Sequence, residues 1–271
     1  MKGSAIAREL ARLDRWVRRS RLAMIGLVAV AALAEVMTYR YPGTKTDPSP
    51  WPTIAVFTRI SLILATAAES AWGLYRVHRR ETEASRALQI DKQLVSILVQ
   101  VAKETGVDVD VPGCNVWRIY SPRGGGEPAL HREGHRRLSD YPQPSDRAWT
   151  KGKGVIGRCW EQGASKFWDY TNLQKRHESK AAISESAWKT MKPADRWGFD
   201  RDEYLDAIRK YQQVLAVPIV DSQGQVLGCV SIDIPTDRPA NDPRCLDTPE
   251  VRGILASAAE ALRGLIPSPR L

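Results

Sequence analysis

Past residue 75 the chain has no apolar run long enough to cross a bilayer, and no Gly or Pro falls between Arg76 and Thr105. Its four cysteines, Cys114, Cys159, Cys229 and Cys245, form no CxxC pair. The first absence confines any membrane contact to the N-terminal part. The last removes the usual thiolate spacing of a zinc site, and scattered cysteines in a cytoplasmic domain are expected to be reduced thiols. Nucleophile–base spacings are missing as well. His131 and His135 stand at i, i+4 but not as HExxH, and Gly134 argues against a helix there, so no metal site is expected. The chain therefore does not read as an enzyme.

Two apolar stretches lie back to back near the N-terminus, 22–39 and 53–75. A span needs about 20 apolar residues; the first is slightly short and the second is adequate. Lys2, Arg8, Arg12, Arg15, Arg18, Arg19 and Arg21 precede the first, and Arg76, Arg79, Arg80 and Arg86 follow the second, while the loop 40–52 has only Arg40 and Lys45. Basic flanks stay in the cytoplasm, so a two-span hairpin in the cell's inner membrane with both termini inside is expected. The net charge of +9 then reflects topology and contact with anionic lipid rather than nucleic-acid binding. A signal peptide cleaved after Ala32-Leu33-Ala34 is the competing reading; the long basic n-region and the immediate second span weigh against it.

Three charges fall inside the spans, Glu35, Arg59 and Glu69. In an antiparallel hairpin Glu35 and Arg59 come to similar depth, so they are expected to pair, and Glu69 is expected to face another subunit. Residues 1–21 read as a basic amphipathic helix on the inner leaflet, with Ile6, Leu10, Leu13, Trp16 and Val17 on one side. Residues 76–105 read as a connecting helix whose apolar stripe either docks on the following domain or forms a parallel dimer or higher oligomer.

The remainder, 106–271, reads as α+β. Strands are expected at 114–120, 166–170, 213–220 and 226–234, with a weaker one in 128–141. A Trp-bearing helical stretch is expected over about 173–212, and a closing helix over 249–265 capped near Asp247 or Thr248. The turn Asp221-Ser-Gln-Gly224 between alternating apolar runs gives the strongest hairpin signal. Gly152-Lys-Gly-Val-Ile-Gly157 matches GxGxxG, but neither a preceding strand nor a βαβ unit surrounds it, so a turn opening a short core-facing helix is the better reading.

The series GKGVIGRCWEQG, FWDY, a helical insert, VLAVPIVDSQGQVLGCVSIDI and a closing helix resembles a GAF domain over roughly residues 85–266. The resemblance implies an antiparallel sheet, terminal helices packed on one face, and a ligand pocket under lid segments on the other. The family binds cyclic nucleotides, small metabolites, chromophores or haem, and some members bind nothing. Within it, GKGV and GCVSIDI look most like the free methionine sulfoxide reductases. Those enzymes need cysteines that this chain lacks between residues 160 and 228, and the same gap argues against a bilin. No cofactor is specified, although His177 is a conceivable haem ligand.

Expected ligand-binding residues are Trp149, Arg158, Trp160, Trp168, Asp169, Tyr170, Trp188, Trp197 and Asp233. Trp and Tyr offer flat apolar faces with a polar tip, Arg suits phosphate and Asp suits a base or ribose edge. Phe167, Tyr204, Lys175, Arg176 and Arg196 are neighbours of this set. The expected function is a membrane-anchored sensor of a small molecule, a nucleotide among the choices, that signals through its hairpin or a partner. Such a chain resembles the two-span membrane-disrupting effectors of nucleotide-signalling antiphage systems, since no output module follows the closing helix. The alternative is a ligand-free dimerisation module on a membrane tether.

Overall fold

The computed structural model describes residues 25–42, 44, 49–122, 125–142, 147–173, 183–238 and 245–268. The chain divides into two compact units, Met1–Thr82 and Glu83–Leu271. The basic segment 1–21, with Lys175, Arg176 and His177, lies outside the described residues.

In the first unit residues 25–40 are helical (α1) and a second helix, α2, begins at Trp51; it ends at Thr105, in the second unit. What reads in sequence as a span followed by a connecting helix is thus one element. After Pro52 no proline interrupts it, and Gly73 costs only about 1 kcal/mol in a helix interior. Among the described residues α2 alone is long and apolar enough to cross a membrane. Its hydroxyls bond inside the helix, as a bilayer would require: Thr58, Thr66 and Ser70 each donate to the carbonyl four residues back at 2.9 Å. Arg59 Nε donates to Glu35 Oε1 at 2.8 Å, so these two charges meet as the sequence suggests. Glu69 also has an interaction within the chain, where the sequence suggested a partner in another subunit.

The second unit is built on a five-stranded antiparallel sheet of order β2-β1-β5-β4-β3. The strands are β1 Gly113–Tyr120, β2 Ala129–Arg136, β3 Lys166–Asp169, β4 Tyr211–Val220 and β5 Val226–Pro235. The helices are α3 Gly154–Gln162, α4 Glu185–Thr190, α5 Arg201–Lys210 and α6 Pro249–Arg263, with a 3-10 turn at Pro193–Arg196. The long helical stretch expected before β4 is broken. Pro193 and the left-handed Gly198 interrupt it, and Asp200 restarts it with a capping box to Glu203. Asp200→Ala should cost about 1 kcal/mol in chemical denaturation, the usual loss for an N-cap acid.

Period-2 alternation decides the two faces. Along β5, Val230, Ile232 and Ile234 join a core with Ile90, Leu94, Ile97, Leu98 and Val101 of α2 and Val251, Leu255 and Leu262 of α6. Cys229, Ser231 and Asp233 point the other way. Thr248 Oγ1 accepts from Val251 N at 3.2 Å and caps α6 where the sequence placed the cap. Gly134 of β2 lies where a Cβ would come 2.5 Å from Ile90 Cγ2, so α2 seats directly on the strand.

Candidate functional site

The face opposite the terminal helices carries a second core, made by Trp117 and Ile119 of β1, Val155, Ile156 and Cys159 of α3, and Tyr204, Leu205 and Ile208 of α5. Among these elements lies a cavity of ≈ 40 Å³. By the usual requirement of about 10–15 Å³ per water centre, that is room for roughly three waters. Its walls are Trp117, Trp149, Tyr170, Phe199 and Tyr211, and Asn115, Ser231 and Asp233 give it a polar floor.

The floor is a chain of hydrogen bonds along neighbouring strands. Arg137, just past β2, donates to Asp233, and both side chains are almost wholly buried, at 3% and 7% exposed. Arg137 Nη1 also donates to the Val111 carbonyl at 2.9 Å. Asn115 Nδ2 reaches Asp233 at 3.4 Å while its Oδ1 meets His135 Nδ1 at 2.9 Å. Burial and the nearby Arg132 and Arg137 push His135 down to about 4, so it is a neutral imidazole. Burial pushes Asp233 upward, against the pull of Arg137. Ser231 Oγ accepts from Trp117 Nε1 at 3.0 Å.

Two donors of this site, Trp149 Nε1 and Arg137 Nε, are buried without an acceptor among the described residues. The Trp149 side chain as a whole is buried. Buried donors are nearly always paired, so its indole N–H stands out in a residue that also walls the cavity. The ring is fixed edge-to-face between Trp117 and Phe199, at centroid distances of 6.0 and 5.9 Å.

The glycine motif proves to be a packing device. Gly154 N donates to Trp197 O at 2.7 Å, Gly152 N to Gly157 O at 2.9 Å and Gly157 N to Lys153 O at 3.0 Å. These amides are spent inside the fold and are not free to cradle a phosphate. A Cβ on Gly154 would meet Phe199 at 2.7 Å and Trp149 at 2.9 Å, so the glycine lets both rings close over the turn.

Of the residues expected from sequence, Trp149, Tyr170 and Asp233 line the cavity. Trp168 and Trp197 instead stack on each other at 3.8 Å, with Tyr170 on Trp168 at 4.5 Å and the Arg158 guanidinium over Trp197 at 4.1 Å. Trp197 is the one described non-glycine residue in the left-handed region, at φ 52°. Trp188 packs on Tyr204 with Arg196 above it at 4.9 Å. Asp169 Oδ1 accepts from Thr171, at 2.8 Å from N and 2.6 Å from Oγ1. Trp160 is half-buried beside the same core. Cys159 and Cys229 are fully buried core thiols.

Asn115, Trp117, Ser231 and Tyr211 escaped sequence reading. A usable signal existed for the first two: a polar residue and a large aromatic at i, i+2 in an otherwise apolar strand mark a face that is not ordinary core. Phe199 left no comparable trace, because only the loop geometry brings it over Trp149.

No protein-family model matches this sequence, and no curated protein matches it. Among solved structures it is similar to a type II free methionine-R-sulfoxide reductase from Thermoplasma acidophilum, at 14% identity over 66% of this chain and 94% of that one, with a TM-score of 0.37. The GAF domain of an Acinetobacter phosphoenolpyruvate-protein phosphotransferase matches at 14% identity over 70% and 92%, with a TM-score of 0.36. A mutated NreA protein from Staphylococcus aureus matches at 16% identity over 58% and 93%, with a TM-score of 0.35. No residue role follows from likenesses this distant. Glu83–Leu271 has the antiparallel sheet, the terminal helices on one face and the covered cavity on the other that the sequence resemblance to GAF domains implies.

Proposed function

We propose that the chain is a membrane-tethered, non-enzymatic sensor in which a small molecule bound beside Trp149 biases α2. The carrying observation is an aromatic-walled cavity with a polar floor, one of whose walls, Trp149, has a buried indole N–H with no acceptor among the described residues. A ligand can shift a two-state protein only by binding one state better. Here the contacts that could differ are the α3–α5 lid and its Trp168–Trp197 stack. Lipid contact is supported by the exposed Ile54, Val56, Phe57, Ile60, Ile63 and Leu64 of α2 and by the basic flanks, which put both termini on the cytoplasmic side. Self-association is supported by Leu88, Val95 and Val99, which stay exposed on α2 while its opposite stripe is buried. Absence of enzymatic activity is supported by the thiols: all four cysteines are buried, and burial beside Cys159 holds Cys229 protonated. A nucleotide in place of a smaller ligand would have to displace the lid, since ≈ 40 Å³ is far too little for one.

A second reading has its own observation. The Trp168–Trp197–Tyr170 stack fills the space where a larger planar ligand would lie, as in a ligand-free interaction module. Mass spectrometry of heat-denatured extract from the purified full chain separates the two. A stoichiometric small molecule is the expected result. An empty protein whose melting no metabolite shifts would transfer the function to the module.

A further inference from the structure

The edge strand β2 touches both the cavity lining and α2. It stands at one end of the sheet and pairs along its length with β1. Leu130 N adds a bridge to the Trp149 carbonyl at 2.7 Å. Further along one side of the strand, the Arg132 guanidinium lies 4.7 Å from the Trp117 ring and His135 Nδ1 meets Asn115 Oδ1 at 2.9 Å. Arg137, one residue past the end of β2, donates to Asp233. Trp149, Trp117, Asn115 and Asp233 all line the cavity, so part of its wall and most of its polar floor are fastened to this one strand.

The opposite side of β2 grips α2. Glu133 pairs with Arg86 of α2 and lies 2.8 Å from Arg118 Nε of β1. Gly134 gives Ile90 its seat, and Arg136 Nη1 stands 3.5 Å from Asp91 Oδ1. A β-bulge makes the double grip possible. Val116 pairs with Gly134 and Trp117 with Arg132, so Glu133 is the extra residue. Strict alternation from Arg132 would aim Gly134 at the cavity and His135 at α2. The bulge turns Glu133 and Gly134 together toward α2 and returns His135 and Arg137 to the cavity floor.

We infer, resting on the sensor reading above, that β2 is the element through which the cavity regulates α2. A ligand that displaces Asn115 or Asp233 moves His135 and Arg137. Glu133, Gly134 and Arg136 share the same short backbone, so the movement reaches the seat of Arg86, Ile90 and Asp91. An edge strand interrupted by a bulge suits this task, because it shifts at the loss of fewer ladder bonds than a central strand such as β5.

Hydrogen exchange on the full chain in detergent micelles tests the route without any ligand. Asn115→Ala releases His135 and loosens the floor, and exchange is read at labelling times where local opening carries it. Amides of 129–136 and of 84–94 in α2 should exchange at least about fivefold faster, the effect of stranding a buried partner. Those of α6, which packs over β4 and β5, should change by less than about twofold. Arg86→Gln unfastens α2 from Glu133 and leaves β2 itself intact. In that background Asn115→Ala should still quicken 129–136 but quicken 84–94 by less than about half as much, as expected when a shared contact is gone. Should Asn115→Ala not fold, Asn115→Thr, whose β-branched side chain suits a strand, replaces it. Equal quickening of α2 and α6, or an unmoved α2 beside a loosened β2, overturns the coupling. No ligand enters this experiment, so that failure would leave the sensor reading to be decided by the co-purified molecule alone.

Discussion

Arg137→Met should lower the stability of the full chain by about 3–5 kcal/mol near neutral pH, measured by denaturant titration with tryptophan fluorescence. The pair it breaks is buried on both sides, and removing the guanidinium strands the Asp233 carboxylate beneath the cavity. Gly113 shows how tightly the arginine is held: a Cβ there would lie 2.1 Å from Arg137 Nη2, so the strand start is hollowed to let the side chain pass. The variant also carries a pH signature. Burial already raises Asp233 above the ordinary carboxylate value, and losing Arg137 raises it further, whereas the unfolded chain keeps the ordinary value. The native variant therefore binds a proton more readily than the unfolded one. Its deficit is full above the raised pKa, and it shrinks as the pH falls through that value toward the ordinary one. Arg137→Met/Asp233→Leu should recover more than half of the loss, since no buried charge is left unpaired. A double variant as unstable as the single one would show that Arg137 acts by packing rather than by charge.

Gly157→Ala is the second large effect. An added Cβ would sit 2.3 Å from the Thr150 carbonyl oxygen, and that is backbone which cannot swing aside. Overpacking of this kind costs about 1–3 kcal/mol and sometimes more. Here it also pries α3 from the turn that positions Trp149, so ligand-induced stabilisation should fall along with basal stability. Gly253→Ala on α6 is the contrast. Nothing lies within 4 Å of its Cβ position, so the substitution should stabilise by about 0.5–1 kcal/mol through backbone entropy alone. Opposite-signed behaviour of two helical glycines, read in one denaturation series, would separate close packing from intrinsic propensity.

Much of the domain was legible because its signals are local. The hairpin of β4 and β5 follows from alternation around Asp221-Ser-Gln-Gly224, and the closing helix follows from Thr248 and the apolar period after it. Glu35 and Arg59 could be matched because two apolar spans joined by a short loop have few ways to align. The Trp-bearing helical stretch expected over about 173–212 is divided among the described residues into separate short helices, cut by one proline, one left-handed glycine and a capping acid. At the cavity, Trp149, Tyr170 and Asp233 stood out as aromatic or acidic residues in recognisable motifs. Ser231 did not, since a small polar residue inside a strand announces nothing until the neighbouring strand is known.

Period, capping and charge act over a few residues, so the order of the strands and closing helix and the confinement of long apolar stretches to the N-terminal part were readable from the chain alone. Only the tertiary structure decided which aromatics wall the cavity and which stack as a lid, and which arginine answers Asp233. Those choices depend on contacts between residues as far apart as Arg137 and Asp233, and such distances in the chain become angstroms only when the sheet has formed.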